Sequence, residues 1–554
     1  MCMVNTNIYV GTKTGTYCGM LDNGITSFLG IRYADPVKPW QKPEYPSTGS
    51  NETIDATKFY PACIQPYSLD EYASQNEMSA DCLTLNIWTK DVSVAGKPVM
   101  VYIHGGSYVN GGNNDPITAG DGFIRNLPDG EDCILVVINY RLGIFSSLDL
   151  SVLDGYDAKY RDSLALNMCD QIMALKWINE NIRAFGGDSE NVTLFGQSAG
   201  SMSIAYLAAN AEARQYFKRG IMQSGVPFFG LASKEIKKKL TIELCRDLGI
   251  KSVQELTEKD DGFWIKQISD IQRKYGGYIC PRVIDSQYVT NNFWTDITAG
   301  AASEIDLMVG CTNGEMDRLS SSGLDSDTIL GILYGMFEDC GETEYSMTPF
   351  ENARIIQEYM TAGEDKDKRA SNIFAAFATQ AGSLAYAEAQ AKHNKNVYTY
   401  SWQYMPDANL FTKEPVKNGY SKWGRALHCA ELPILFDTAQ LGYSTFSYWW
   451  LGLQSGQIKE KVPSPIVPPK FIQQVIHAWY FFAKTGNPNN PMIPKWSQYD
   501  ESSRLTMVIN ANGWVEKEAG LMEDEKILSR IKPMHRPKVD RNTLSQRAKN
   551  LHNK

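Results

Sequence analysis

The chain has 554 residues, 43% of them hydrophobic and 11% aromatic, which is enough for a large buried core. Its net charge of −9 argues against nucleic acid or an anionic membrane surface as the main partner. No apolar run approaches the roughly 18 residues of a membrane span, so we expect no span.

The N-terminal residues and the cysteines indicate the compartment. The N-terminus lacks the basic start and apolar core of a secretory signal. The eleven cysteines are scattered, and no pair forms the C-x-x-C motif of a zinc ribbon or a dithiol redox site. We therefore expect a cytoplasmic protein with reduced thiols. A disulfide between Cys63 and Cys82, which would close a short loop, stays open as the alternative.

Short apolar and β-branched runs predict a series of strands that alternate with helices. The predicted strands are 8–32 (several short ones), 84–88, 99–103, 133–138, 191–195, 220–223, 305–309, 397–402 and 505–509. The predicted helices among them include 170–183, 201–209 and 472–482. Unbroken apolar strands separated by helices predict an α/β fold with a mostly parallel sheet covered on both faces.

Charged helical segments near 228–282 and 325–391 interrupt this alternation. Because sheet-type strands resume after each of them, we interpret both as insertions and residues 1–525 as one domain. Residues 526–554 are basic and poor in apolar side chains. They predict a surface helix or a frayed tail, with a basic docking segment as the alternative.

Gly196-Gln197-Ser198-Ala199-Gly200 is a G-x-S-x-G motif between a predicted strand and a predicted helix. So tight a turn holds its middle residue at strained backbone angles, and glycines flank it because a Cβ would collide with neighbouring elements. The turn exposes the central hydroxyl at the end of the sheet. This predicts a nucleophile at Ser198 rather than an ordinary strand–helix turn.

A serine hydroxyl is a weak nucleophile at neutral pH, so it needs a base and a group that orients the base. The chain has six histidines, and His428 lies in a loop after a late predicted strand, where a base can reach the end of the sheet. The others precede a glycine pair or lie in a polar loop, a helix or the basic tail: His104, His393, His477, His535 and His552.

The acid that orients the base is expected just after a strand end between Ser198 and His428. Glu315, in the loop after strand 305–309, is the candidate, and Asp317 is its competitor. A solvated loop carboxylate is the alternative interpretation of Glu315.

The oxyanion formed by nucleophilic attack needs N–H donors. We expect them from Ala199, directly after the nucleophile, and from Gly106 and Ser107, in a glycine-rich segment after strand 99–103. A simple turn is the alternative interpretation of that segment.

Several further motifs follow one another in a specific order. They are DCLTLNIW (81–88), NYRLG (139–143), FGGD (185–188), QSG (223–225), residues 281–285, 310–315 and 428–432, and FAKTGNP (482–488). With them the chain resembles the type-B carboxylesterases from about residue 9 to residue 499. That family includes cholinesterases, several fungal lipases and bacterial para-nitrobenzyl esterases.

The resemblance implies an α/β-hydrolase fold, in which helices flank a mostly parallel central sheet and helical insertions lie over the active site. The family pattern assigns the triad to Ser198, Glu315 and His428, in the order nucleophile, acid, base. The third oxyanion glycine of the family is Ser107 here, so a side chain lies where close approach is needed.

The substrate is expected to be a neutral ester. Gln197 precedes the nucleophile where choline-binding members carry a glutamate, and the loop between Cys63 and Cys82 has no tryptophan to stack on a quaternary ammonium. Phe228 and Phe229 follow QSG in a segment that borders the acyl group in the family, and two bulky rings there predict short acyl chains. The alternative is that both rings belong to the core.

Taken together, these residues predict a carboxylic ester hydrolase that acts through an acyl-enzyme on a small-molecule ester, with Gln197, Phe228 and Phe229 at the substrate. The chemistry requires no metal and no organic cofactor. The alternatives are a catalytically silent binding protein of the cholinesterase type, which would typically lack the nucleophile, and a lipase, which would need an apolar lid.

Overall fold

The computed structural model describes residues 6–47, 53–66, 77–227, 234–279, 288–289, 292–321, 323–339, 348–405, 421–439 and 467–531. Phe228, Phe229 and the tail after residue 531 lie outside these ranges.

The strands within these ranges form one large sheet and one small sheet. They are β1 (Thr6–Thr12), β2 (Gly15–Asp22), β3 (Ile25–Arg32), β4 (Thr53–Asp55), β5 (Ala62–Cys63), β6 (Met78–Ser79), β7 (Thr84–Thr89), β8 (Lys97–Ile103), β9 (Ile134–Ile138), β10 (Gly187–Gln197), β11 (Arg219–Gln223), β12 (Asp306–Thr312), β13 (Val397–Trp402), β14 (Leu505–Asn510) and β15 (Gly513–Glu518). The order of the large sheet is β1-β2-β3-β7-β9-β8-β10-β11-β12-β13-β14-β15, with β4 paired to β2.

The centre of the large sheet is parallel and its flanks are antiparallel. Neighbouring strands from β9 to β14 all pair parallel, whereas β1, β2, β3 and β7 on one side and β15 on the other pair antiparallel. The predicted α/β fold with a mostly parallel sheet is therefore confirmed. β15 was not predicted, because its side chains are mostly exposed and polar.

Helices cover both faces of the sheet. They are α1 (Asp121–Arg125), α2 (Leu166–Asn181), α3 (Ala199–Ala209), α4 (Ala211–Arg214), α5 (Lys234–Asp247), α6 (Val253–Thr257), α7 (Asp261–Ile279), α8 (Phe293–Thr298), α9 (Asp317–Ser321), α10 (Ser326–Asp339), α11 (Thr348–Thr361), α12 (Lys366–Ala375), α13 (Ala381–Ala391), α14 (Leu432–Leu435), α15 (Pro469–Thr485) and α16 (Glu525–Leu528). No helix within the described ranges combines the length and the apolar character that crossing a membrane requires.

Alternate residues of β8 explain why the sheet is buried on both sides. Val99, Val101 and Ile103 pack into one hydrophobic core, and Met100 and Tyr102 pack into the other. This follows from the two-residue period of a strand, which points successive side chains to opposite faces. A strand apolar at every position therefore needs a helical layer above and below it.

The predicted insertions contain helices α5–α7 and α10–α13 in their described parts. That residues 1–525 form one domain, and that residues 526–554 form a basic tail, stay predictions.

Cys63 and Cys82 form a disulfide, with their Cα atoms 5.0 Å apart. The expectation of reduced thiols is therefore wrong for this pair. The disulfide can form because β5 pairs with β6. This pairing places Cys63 opposite Ser79 and brings Cys82, three residues later, close to Cys63. The free cysteines in the described ranges are all buried.

Candidate active site

Because the central strands are parallel, the loops that follow β8, β10, β11, β12 and β13 meet at one edge of the sheet. Each predicted site residue in the described ranges comes from one of these loops, from the last residue of β10 or from the start of α3. Five non-glycine residues with positive φ also lie there: Ser107, Tyr108, Ser198, Ser224 and Cys429. Strained backbone of this kind is typical of functional sites.

Ser198 joins β10 to α3 in the strained turn that the motif predicts. Its φ is 57° and its ψ is −119°. Its N–H donates to the Gln223 carbonyl at 2.8 Å, and its carbonyl accepts from the Met202 N–H at 2.9 Å. A Cβ on Gly200 would lie 1.9 Å from the Ile103 carbonyl oxygen, so the helix packs against β8 at a distance that only glycine permits. The serine is partly exposed at the N-terminus of α3.

Glu315 and His428 contact each other directly. The Glu315 carboxylate bonds to Nδ1 of His428, and its other oxygen accepts the Thr312 N–H at 2.7 Å. The two loops are also joined through the backbone, where the Gly314 N–H donates to the Ala426 carbonyl at 2.9 Å. Glu315 and His428 therefore have a fixed relative position, even though they lie 113 residues apart in sequence.

The pKa of His428 reflects two opposing effects. Burial alone lowers it, but the charge of Glu315 and its hydrogen bond raise it, and the net shift is upward. With Nδ1 facing the carboxylate, Nε2 is the nitrogen left to act as a base. Gln197 Nε2 lies 3.1 Å from that nitrogen, so the residue before Ser198 contacts His428.

The segment after β8 passes closely over Ser198. A Cβ on Gly105 would lie 3.2 Å from the Cβ of Ser198. Gly106 has a φ of 97°, and a Cβ there would lie 2.2 Å from the Asn110 carbonyl oxygen. Ser107, exposed at the surface, has a φ of 55°, the left-handed conformation that glycine takes at lower cost. Ala199, the first residue of α3, has an N–H without an acceptor in its own helix.

Asp317, the competing acid, has a different partner. Its oxygens accept from Arg425, whose Nε lies 2.7 Å from Oδ2, and from the hydroxyls of Ser371 and Ser421. Arg425 also bonds to Glu523 at 2.6 Å. The structure therefore brings Glu315, and not Asp317, to His428.

Sequence reasoning missed Glu431, a second buried carboxyl group three residues after the base. One of its oxygens accepts from the Gln223 side chain at 3.2 Å, and the other has no partner among the described residues. Burial raises the pKa of Glu431 to about 7, and the charge of Glu315 adds to this shift. The residue is part of the quoted segment 428–432, but one sequence gives no sign that its side chain turns inward.

The other described histidines have partners elsewhere. His104 is stacked on Tyr140 at a ring distance of 4.3 Å, and burial lowers its pKa to about 4. His393 and His477 contact backbone carbonyls of distant loops. Within the described part of the chain, no group of three or more His, Cys, Asp or Glu side chains could hold a metal ion.

Comparisons with known proteins agree with this geometry. The sequence profile of the carboxylesterase family matches residues 3–525. The para-nitrobenzyl esterase of Bacillus subtilis (strain 168) is 30% identical over 539 residues, which is 94% of this chain and 99% of that protein. Phenmedipham hydrolase of Pseudarthrobacter oxydans is 27% identical over 528 residues, which is 91% of this chain and 95% of that protein.

Solved structures give the same result. A thermophilic PNB esterase has a TM-score of 0.75 at 27% identity, covering 95% of this chain and 100% of its own. A carboxylesterase of Geobacillus stearothermophilus has a TM-score of 0.73 at 25% identity, covering 94% of this chain and 99% of its own. The chain therefore belongs to the carboxylesterase family and is a serine carboxylesterase with the α/β-hydrolase fold.

Proposed function

We propose that Ser198, Glu315 and His428 form the catalytic triad of an ester hydrolase that acts on neutral, short-chain esters through an acyl-enzyme. The observation that supports this most is the bond between Glu315 and Nδ1 of His428, at the sheet edge where Ser198 occupies its strained turn. Three chain segments far apart in sequence supply a nucleophile, a base and an orienting carboxylate.

In the proposed reaction the Ser198 oxygen attacks the ester carbonyl carbon while Nε2 of His428 takes the hydroxyl proton. Glu315 holds the ring in the tautomer with a proton on Nδ1 and stabilises the imidazolium that forms. His428 then gives the proton to the leaving alcohol. In the second half, water attacks the acyl-enzyme with His428 again as the base, and Ser198 is released.

The tetrahedral intermediates carry negative charge on the former carbonyl oxygen. We assign its stabilisation to the N–H groups of Gly106, Ser107 and Ala199. The left-handed backbone at Ser107 supports this assignment, because it gives the segment the conformation that a glycine would adopt there. The partly positive N-terminus of α3 favours the same charge.

The preference for neutral esters rests on Gln197, whose uncharged amide lies beside the base. The preference for short acyl chains rests on Phe228 and Phe229. A cytoplasmic location stays a prediction, and the disulfide between Cys63 and Cys82 is more typical of an oxidising compartment.

Replacing the nucleophile tests the assignment. Ser198→Ala is expected to abolish hydrolysis of para-nitrophenyl acetate while circular dichroism and thermal unfolding stay unchanged, and His428→Ala should be nearly as damaging and not additive with it. Ser201→Ala is the matched control, because Ser201 is a buried serine in the helix that follows Ser198, and its hydroxyl donates to the Gly225 carbonyl.

The acyl-chain preference has its own test. Wild-type rates on nitrophenyl esters from acetate to palmitate should fall beyond hexanoate. Turnover by Ser198→Ala near the wild-type rate would refute the triad, and an unchanged rate on palmitate would refute the short-chain preference.

A further inference from the structure

A small cavity, partly open to solvent, lies beside Ser198. Ser198 and Gln197 line it on one side, and Cys429 and Leu432 line it on another. The segment after β8 closes it and contributes Asp115.

This cavity lies on the side of the base. Cys429 and Leu432 lie one and four residues after His428 in sequence, and the Gln197 amide lies 3.1 Å from Nε2 of His428. In the proposed mechanism the base protonates the leaving alcohol, so the alcohol must lie next to the base. The cavity is therefore suited to the alcohol portion of an ester, whereas the acyl side was predicted beyond β11.

Asp115 introduces an acidic group into this cavity. Its Oδ1 accepts the Ile117 N–H at 2.9 Å and so caps the short helical turn Pro116–Thr118. No lysine or arginine lines the described part of the cavity, and no described cation forms an ion pair with Asp115. Burial raises the pKa of Asp115 to about 6, which leaves most of the group ionised at neutral pH. Asp115 is partly buried, and a carboxylate that loses part of its hydration is best satisfied by hydrogen-bond donors.

The turn that holds Asp115 is firmly attached to the site. The Asn113 N–H donates to the Asn139 side chain at 2.7 Å, and the Ile117 carbonyl accepts from Thr438 at 2.9 Å. Thr438 belongs to the segment that also contains the base. Asp115 therefore has a fixed position relative to the reacting groups, which a specificity-determining residue needs.

We propose that Asp115 accepts a hydrogen bond from a hydroxyl group on the alcohol portion of the substrate, so that monoesters of diols and polyols are the preferred class. A neutral hydroxyl can donate to Oδ2 of Asp115, which has no hydrogen-bond partner among the described residues, and it suits the uncharged Gln197 that lines the same cavity. This inference rests on the proposed function, because it needs the base to lie next to the leaving alcohol.

Two acetates of equal size test the proposal. 2-Hydroxyethyl acetate and propyl acetate differ only in the terminal group of the alcohol, and the wild type should show a kcat/KM about tenfold higher for the hydroxylated ester, as a hydrogen bond to a charged group allows. Asp115→Ser should reduce this ratio to about one, because serine still caps the turn but withdraws the carboxylate from the cavity.

Asp157→Ser is the matched control. Asp157 caps another short turn, Ala158–Tyr160, through the Lys159 N–H at 2.9 Å, and it lies exposed at the surface. This variant should keep the wild-type ratio.

The outcomes are distinct. A wild-type ratio near one overturns the proposal without any variant, and so does an unchanged ratio in folded Asp115→Ser. A preference for acetylcholine over both neutral esters also overturns the proposal. Such a preference would indicate that the cavity recognises a positive charge rather than a hydroxyl donor. If the wild type hydrolyses neither these acetates nor para-nitrophenyl acetate, the proposed function fails instead.

Discussion

Glu315 and Asp317 lie two residues apart after the same strand, and each is 1% exposed, yet their surroundings differ completely. Glu315 faces His428, a group that can gain and lose a proton. Asp317 faces the guanidinium of Arg425, and the hydroxyls of Ser371 and Ser421 also donate to its carboxylate. We therefore expect the carboxylate of Glu315 to support proton transfer and that of Asp317 to stabilise the structure.

The two carboxylates are equally buried, so burial does not distinguish them. What distinguishes them is the residue that each one contacts. Both carboxylates tie the loop after β12 to the segment 421–439. The contact through Glu315 holds His428, and Asp317 holds Arg425, which in turn bonds to Glu523 near the end of the described chain. We expect substitutions at the two positions to separate catalysis from stability.

The largest expected effect follows from Glu315→Gln. The amide can no longer stabilise the imidazolium or enforce the right tautomer, so kcat should fall by about 10³- to 10⁴-fold. Asp317→Asn should leave kcat within about tenfold of the wild type. Steady-state kinetics on para-nitrophenyl acetate measure both, and the reverse ranking would make Asp317 the acid.

A smaller effect, on stability, should come from Arg425→Met. It leaves Asp317 buried without its cation, and the loss of one partner of a buried pair costs about 3 kcal/mol of unfolding free energy. Adding Asp317→Leu should recover part of this loss, because no unpaired charge then remains. Urea unfolding measures both variants.

Lys38→Met is the control for that measurement. It removes one partner of the Lys38–Glu44 pair, whose side chains are 55% and 58% exposed, and should cost less than about 1 kcal/mol. Equal losses in the buried and exposed pairs would contradict the structural role of Asp317.

The smallest effect is expected from Glu431→Gln. The charge of Glu431 raises the pKa of His428, but the pKa of Glu431 is itself about 7, so only part of this charge remains at the pH of the acidic limb. Removing it should lower the pKa of His428 slightly and let His428 stay unprotonated at lower pH. The acidic limb of the rate profile should therefore move to lower pH, by less than about one unit, while the plateau stays near the wild-type rate. A shift to higher pH would show that Glu431 does not act on His428 through its charge.

Local patterns account for most of what could be predicted. Each central strand is an apolar run with glycine or polar residues at its end, and the strained turn at Ser198 follows from its flanking glycines. The motif order that resembles carboxylesterases selected Glu315 over Asp317, which the residues alone left open.

Contacts between distant segments could not be predicted. The partners of Asp317 come from residues 371, 421 and 425, and no periodicity links these positions. The disulfide depends on the pairing of two-residue strands that are too short to show a pattern. In the sequence, Asp115 has the pattern of an ordinary turn residue before proline. Only the structure shows that it lines the same cavity as Ser198.

The close packing around Ser198 has a consequence for mutational scanning. A Cβ on Gly196 would lie 2.8 Å from the Ile103 carbonyl oxygen, and one on Gly225 would lie 2.4 Å from the carbonyl oxygen of Ser198 itself. Every substitution at these positions should abolish activity in a growth- or colour-based screen, although neither residue contributes a reacting atom. A screen that scores activity alone would rank both glycines with the nucleophile, and only a parallel measurement of protein abundance would separate them from it.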